Sequence, residues 1–559
     1  MNKSKKAAKM KGFTPFIVLL IVGFSSCVHK PATVERPKLV VGIVIDQMRW
    51  DYLYRYYDLY GKDGFRRLMK KGYNCQNTSV NYLPANTAPG HSCIYTGSVP
   101  SIHGIAGNNW IDNQSGDNVY CVDDKNAHLV GDNTKAPSYS PVNLHTTTIT
   151  DELRLATNMK SRVYAIAIKD RGSILPGGHL ANAAYWYSDK TGTFTTSTYY
   201  PNQNPEWLQA FNKRKAGDSM VKLGWNLLYS AGKYDQSTVD ANNYEKAFKG
   251  EKAPVFPHVF DSLADSDRYA VLKSIPAGNT YSIMMAKACI DGEKLGLGQQ
   301  TDFVALSLSS TDYIGHQFAP NSIEMEDCYL RLDQDIASLL KFLDARYGTG
   351  NYLLFMTADH GGAHNATFLS DLDVPSGVLH ASIADDLNAY LKEQFGLDSI
   401  VRGIVNYQVF LDNAIIEKTS YEKWEVKQSV IEWLNKRPEV SYAIDMGDMD
   451  KTPAPEPVRH MAINGYNKAR SGAIQIILNP GWYDYGGKTT GMTHGSWNPY
   501  DTHIPLIWYG WHIPKGETNK PFNMTDISAT LAALLHIQAP NGCIGRPITE
   551  IADYKKPNR

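Results

Sequence analysis

The sequence predicts an α/β fold built on a mostly parallel central sheet, and three runs carry that prediction: residues 39–45, 303–308 and 352–356. Each is almost wholly apolar for the length of one strand, the pattern of a strand buried on both faces. Each is followed closely by metal-binding side chains: Asp46 after the first, Asp312 and His316 after the second, Asp359 and His360 after the third. Open α/β sheets bind ligands beyond the carboxyl ends of their parallel strands, so the runs that predict the fold also point to a site.

At the amino end, a lysine cluster over residues 3–11 precedes an apolar stretch, 13–24, of signal-peptide length. That stretch is too short to span a bilayer as a permanent helix. Cys27, after Phe24-Ser25-Ser26, stands where a bacterial lipoprotein is cleaved and acylated, so the expectation is an exported protein with a signal over 1–27 and a lipid anchor on Cys27. The core begins near residue 38. Helical spacing of apolar residues predicts a helix over 52–72, and 163–168 reads as another buried strand ending at Lys169-Asp170-Arg171.

Residues 187–265 turn rich in Tyr, Asn, Lys and Thr and read as an insertion at the rim of the site. The core returns over 266–369, with a helix at 323–346. A second insertion, 370–485, reads as a small α+β cap: helices at 383–395 and 421–434, strands at 407–411, near Tyr442 and at 473–478. Core segments therefore fall at 38–186, 266–369 and 486–559, the last with a strand at 504–509 and a closing helix at 526–535 capped by Thr525.

Lys plus Arg (56) equals Asp plus Glu (56), so no global field steers the chain to nucleic acid or an anionic membrane. The aromatic residues of the first insertion lack the basic stripe a nucleic-acid surface needs. With Cys27 set aside, the other six of the seven cysteines form an even set that permits disulfides in an oxidising compartment, with Cys75 to Cys93 the pairing that proximity suggests. None shows a CxxC spacing, so no cysteine is assigned to metal.

The chemistry concentrates in Asp46, Asp312, His316, Asp359, His360 and His494. A lone Asp beyond a strand is ordinary turn chemistry. Asp312-x-x-x-His316, Asp359-His360-Gly361-Gly362 and Thr493-His494-Gly495 together supply donors for two metal ions, and His with carboxylate suits zinc. Thr87, in Asn86-Thr87-Ala88-Pro89-Gly90-His91, opens a short helix; the residue type also serves as a helix cap, but a hydroxyl at a helix N-terminus beside a metal becomes a nucleophile. His91, His103, His179 and His364 are expected to make hydrogen bonds rather than ligate.

With these motifs together the chain resembles the alkaline phosphatase superfamily, and more closely its phosphate-irrepressible members, exported bacterial phosphate monoesterases that use Thr as nucleophile. The resemblance runs from Val41 through His494 and on to residues 542–547. It implies a three-layer sandwich with inserted cap segments and a periplasmic location. It implies two zinc ions, one on Asp312, His316 and His494 and one on Asp46, Asp359 and His360. Thr87 takes the nucleophile position and Asn108 the position whose amide donates to a phosphoryl oxygen.

Charge narrows the substrate. Two zinc ions against three carboxylates leave about one positive charge; Lys169 and Arg171 raise this to about three, and a Thr87 alkoxide returns it to about two. That total suits a small phosphate monoester dianion, whereas the related phosphodiesterases generally lack the Lys and Arg pair. Phosphodiesterase or nucleotide pyrophosphatase chemistry is the main alternative. A sulfatase needs a convertible Cys or Ser where Thr87 stands, a metal-dependent phosphoglycerate mutase would carry no signal segment, and a ligand-binding lipoprotein on a dead scaffold would not keep every reactive position.

Overall fold

The computed structural model describes residues 35–131, 137–449 and 453–554. The expected signal segment and Cys27 lie outside them, and no helix among the described residues is long and apolar enough to cross a membrane. Numbering the strands of the two larger sheets in chain order, the central sheet comprises β1 (Leu39–Ile45), β2 (Tyr73–Ser79), β3 (Val163–Ala167), β4 (Ala183–Ser188), β5 (Thr193–Thr195), β6 (Asp302–Leu308) and β7 (Tyr352–Thr357). The cap sheet supplies β8 (Val401–Val405), β9 (Gln408–Leu411), β10 (Val440–Asp445) and β11 (Ile474–Leu478). The chain then returns to the central sheet with β12 (His503–Ile504), β13 (Leu506–Gly510) and β14 (Gly516–Asn523).

β1 lies in the middle, pairing parallel with β6 on one side and β7 on the other, and all seven of its residues are buried. β3 and then β4 continue the parallel run beyond β6, and β5 closes that edge antiparallel. On the other side β13 pairs antiparallel with both β7 and β2. Two reversals leave β2 parallel to β7, so β1, β2, β3, β6 and β7 all end at the same edge of the sheet.

Helices flank this sheet in two groups, as the three-layer expectation requires. α1 (Thr87–Thr96) packs with α2 (Asp170–Gly177) and with the closing helix α8 (Asp526–Leu535). α3 (Ala277–Gly292) and α4 (Ser310–Phe318) pack with the long α5 (Ile323–Tyr347). α6 (Ile383–Phe395) and α7 (Lys423–Asn435) cover the cap sheet, whose core is a separate apolar cluster around Leu387, Val409, Val430 and Ile476.

Several local expectations are corrected. The helix expected over 52–72 is broken into Tyr52–Arg55 and Phe65–Lys71 because Asp333 of α5 accepts hydrogen bonds from the Gly61 and Phe65 amides, and a Cβ on Gly64 would lie 2.2 Å from its carboxylate. Thr525 makes no side-chain cap; Asp526 instead accepts from the Asn523 and Arg546 amides. All six described cysteines are free, and Cys93 Sγ lies 3.3 Å from His103 Nε2 rather than against Cys75. The first insertion begins inside the central sheet, and its aromatic residues pack inward: Phe194 and Phe211 surround Tyr281, and Trp225 meets Phe256 and Phe318.

Candidate active site

The common carboxyl edge gathers the reactive side chains. Asp46 follows β1 directly, Lys169 and Arg171 follow β3, Asp312 and His316 lie in α4 just after β6, and Asp359 with His360 follows β7. Thr87 is the first residue of α1, reached from β2, and His494 arrives on the return from the cap. All of the acidic members are buried, at 2 % relative exposure or less.

Two overlapping donor sets form: Asp312 with His316 and His494, and Asp46 with Asp312 and His360. The first is the expected ligand set. The second draws on Asp312, while Asp359 stands beside it with Oδ2 3.5 Å from His360 Nε2. His360 and His494 stack face to face with ring centroids 3.6 Å apart, so the two sets are adjacent.

The donor atoms are of the kind that hold a metal ion. His316, His360 and His494 each spend Nδ1 on a backbone carbonyl, of Met492, Gly361 and Ala85 respectively, which leaves Nε2 as the ligating nitrogen. Both Asp46 oxygens, Asp312 Oδ1 and Asp359 Oδ2 are buried without a hydrogen bond. Such groups are costly unless a cation meets them. Burial holds the His360 and His494 rings below the ordinary imidazole value, His494 further through His360, so both are neutral and able to ligate.

Lys169 joins the metal donors to the hydroxyl. Its ammonium lies 2.6 Å from Asp312 Oδ2 in a hydrogen bond, 2.7 Å from Asp46 Oδ2 in an ion pair without hydrogen-bond geometry, and 3.3 Å from Thr87 Oγ1. Burial works against this charge, but Asp312 and Asp46 keep it above the usual lysine value. The carboxylates diverge. Burial and the Asp359 charge push Asp46 well up, whereas His316 and Lys169 overcome burial and hold Asp312 well down. Thr87 Oγ1 is also 3.4 Å from His360 Nε2, and Thr87 stands at the positive end of the α1 dipole.

Lys169 and Arg171 lie beyond the end of β3. The strand ends at Ala167 and α2 begins at Asp170, which places Lys169 at the helix cap and Arg171 in its first turn. The Arg171 guanidinium donates to the Tyr120 hydroxyl at 3.1 Å, and Asp170 accepts from the Arg171 amide and from Tyr120. Asn108 Oδ1 accepts from the Ala88 amide at 2.8 Å, which ties the Asn108 side chain to the residue after Thr87.

The outer histidines behave as expected. His91 bonds the Thr87 carbonyl and Ser307 and lies 3.2 Å from Asp359; His103, His179 and His364 bond Ile105, Asp151 with Leu144, and Arg49 with Asn321. The residues the sequence did not point to are Tyr120, Tyr485 and the cap turn at Asn406-Tyr407. Tyr485 stacks on His316, whose side chain is 27 % exposed, and donates to its carbonyl. Tyr485 stands 169 positions from His316, and a pairing of that span leaves no local signal.

Residues 40–501 match the family of type I phosphodiesterases and nucleotide pyrophosphatases. The chain belongs to that family, within the alkaline phosphatase superfamily. A Myroides odoratus protein named as a calcium-transporting ATPase is 51 % identical over 94 % of this chain and 97 % of its own. Alkaline phosphatase PhoV of Synechococcus elongatus is 49 % identical over 93 % and 94 %. Alkaline phosphatase PafA of Elizabethkingia meningoseptica is 45 % identical over 96 % and 98 %, and a crystal structure of wild-type PafA matches with a TM-score of 0.89 over 93 % of this chain and 99 % of that one.

Proposed function

We propose that this protein is an exported, zinc-dependent alkaline phosphatase that hydrolyses small phosphate monoesters through a phosphothreonine at Thr87. The observation that carries the reading is Lys169, whose ammonium sits within 3.3 Å of the Thr87 hydroxyl and within hydrogen-bond distance of a metal-ligand carboxylate. A phosphoryl group transferred to Thr87 would meet that cation directly. The relatives named as alkaline phosphatases support the same reading.

In this mechanism Lys169, Arg171 and the Asn108 amide bind the phosphoryl oxygens and aim the phosphorus at Thr87 Oγ1. Two zinc ions, on Asp312, His316 and His494 and on Asp46, Asp359 and His360, would lower the hydroxyl pKa and neutralise charge on the departing oxygen. Thr87 forms the new P–O bond as the ester bond breaks, and water then cleaves the phosphothreonine. Arg171 offers a planar pair of donors and Lys169 a point charge, together matching a dianion. The phosphodiesterase alternative is disfavoured by this charge. Segments 187–265 and 370–485 are assigned as rim insertion and cap, and the lysine-rich start, residues 13–24 and Cys27 support a periplasmic lipoprotein.

Acid quenching during turnover of p-nitrophenyl phosphate, followed by peptide mass spectrometry, tests the covalent step. A phosphate on Thr87 is expected, absent in Thr87→Ala and present in Thr87→Ser with measurable activity. Full activity in Thr87→Ala would remove Thr87 from the mechanism.

A further inference from the structure

Besides Tyr485, the cap reaches the catalytic centre through a two-residue turn. β8 and β9 form a hairpin with Val405 opposite Gln408, leaving Asn406 and Tyr407 as the turn, both left-handed at φ 57° and 59°. The sequence reading placed Tyr407 in a strand; the structure puts it at the tip. Left-handed backbone is tolerated at Asn but is uncommon for a bulky aromatic residue, and such outliers persist where surrounding structure holds them.

What holds them is the nucleophile's own framework. Asn406 Oδ1 accepts from Asn86 Nδ2 at 3.1 Å, and its Nδ2 donates to the Asn109 carbonyl at 2.7 Å. Asn86 immediately precedes Thr87 at the start of α1, yet its side chain makes no helix cap. It is turned to the cap instead, and the N–H it could have taken, that of Ala88, is bonded by Asn108. Tyr407, buried, donates from its hydroxyl to the His494 carbonyl at 3.2 Å. Two glycines make the room: a Cβ on Gly107 would lie 2.2 Å from Asn406 Nδ2, and one on Gly495 would lie 2.8 Å from the Tyr407 ring.

We infer that Asn406 is a positioning residue for phosphoryl transfer, fixing the Asn86-to-Thr87 and Asn108-to-Asn109 segments relative to one another so that the Asn108 amide meets the transferring phosphoryl group. The cap thereby acts on the chemistry rather than only walling the rim. This rests on the assignment of Asn108 as an oxyanion donor. Asn406 touches neither substrate nor metal in this account; it acts through Asn108.

The test is a double-mutant cycle in the full, metal-loaded enzyme. Asn406→Gly keeps a residue at ease in the left-handed turn while deleting both hydrogen bonds, and Asn86→Ala deletes one of them from the core side. Each is expected to lower kcat/KM for p-nitrophenyl phosphate and to weaken inhibition by inorganic phosphate by about 10-fold, with zinc content unchanged, and by less than about 2-fold in an Asn108→Ala background. Equal losses in both backgrounds, or no loss in either variant, would overturn the inference while leaving Asn108 in place. Full activity in Asn108→Ala alone would overturn the donor assignment and this inference with it.

Discussion

Replacing Lys169 with Ala separates monoester from diester chemistry. Lys169 is 4 % exposed, so solvent screens its charge weakly, and the ammonium lies 3.3 Å from Thr87 Oγ1. Phosphorus bonded to that oxygen brings the phosphoryl charge to about 4 Å, where a unit charge pair at an effective dielectric of about 20 is worth about 4 kcal/mol. A monoester carries one more negative charge than a diester, so the extra loss on the monoester has about 4 kcal/mol as its ceiling. Charge moving to the leaving group and the retained Arg171 reduce this, giving about 2–4 kcal/mol, or roughly 30- to 1,000-fold in kcat/KM. The assay compares p-nitrophenyl phosphate with its bis-ester on wild type and variant at matched zinc content, because Lys169 also compensates Asp46 and Asp312. Equal losses on the two substrates would refute the charge argument and leave Lys169 a structural counter-ion.

Two further outcomes concern the ground around the site. Burial and the Glu324 charge push the Glu245 carboxyl up to about 10 from 4.5, so the folded chain holds a proton the unfolded chain releases. Its contribution to stability therefore falls as pH rises from about 4.5 to about 10. Glu245→Gln is expected to raise Tm by about 1–3 °C at pH 9 and to leave it unchanged at pH 4, measured by calorimetry; an equal shift at both would exclude the titration. Gly491 has φ 73°, and a Cβ there would lie 1.9 Å from the His316 carbonyl oxygen. Gly491→Ala is expected to cost about 1–3 kcal/mol of stability and to release metal, read by elemental analysis; full metal content would show that His316 does not depend on that approach.

Much of the core was legible because strands buried on both faces leave continuous apolar runs, and Asp46, Asp312 and Asp359 follow those runs within a few residues. The antiparallel sense of β13 was not, since one strand carries no mark of its partner's direction. Lys169 and Arg171 were found beyond a buried run, but their helical setting was not legible, because the strand gives way to α2 in the two residues between Ala167 and Asp170. The break near Gly61–Gly64 depends on Asp333, far along the chain. The Asn406 turn depends on Asn86, 320 positions away. Contacts of that span come from topology, and local pattern does not encode them.

The proposed two-metal site is matched to a phosphate dianion. The most direct measurement is kcat/KM for p-nitrophenyl phosphate and for bis-p-nitrophenyl phosphate on one purified preparation with its metals quantified. Two zinc ions per chain and a strong monoester preference are the predicted result. A diester preference in fully metal-loaded enzyme would contradict it.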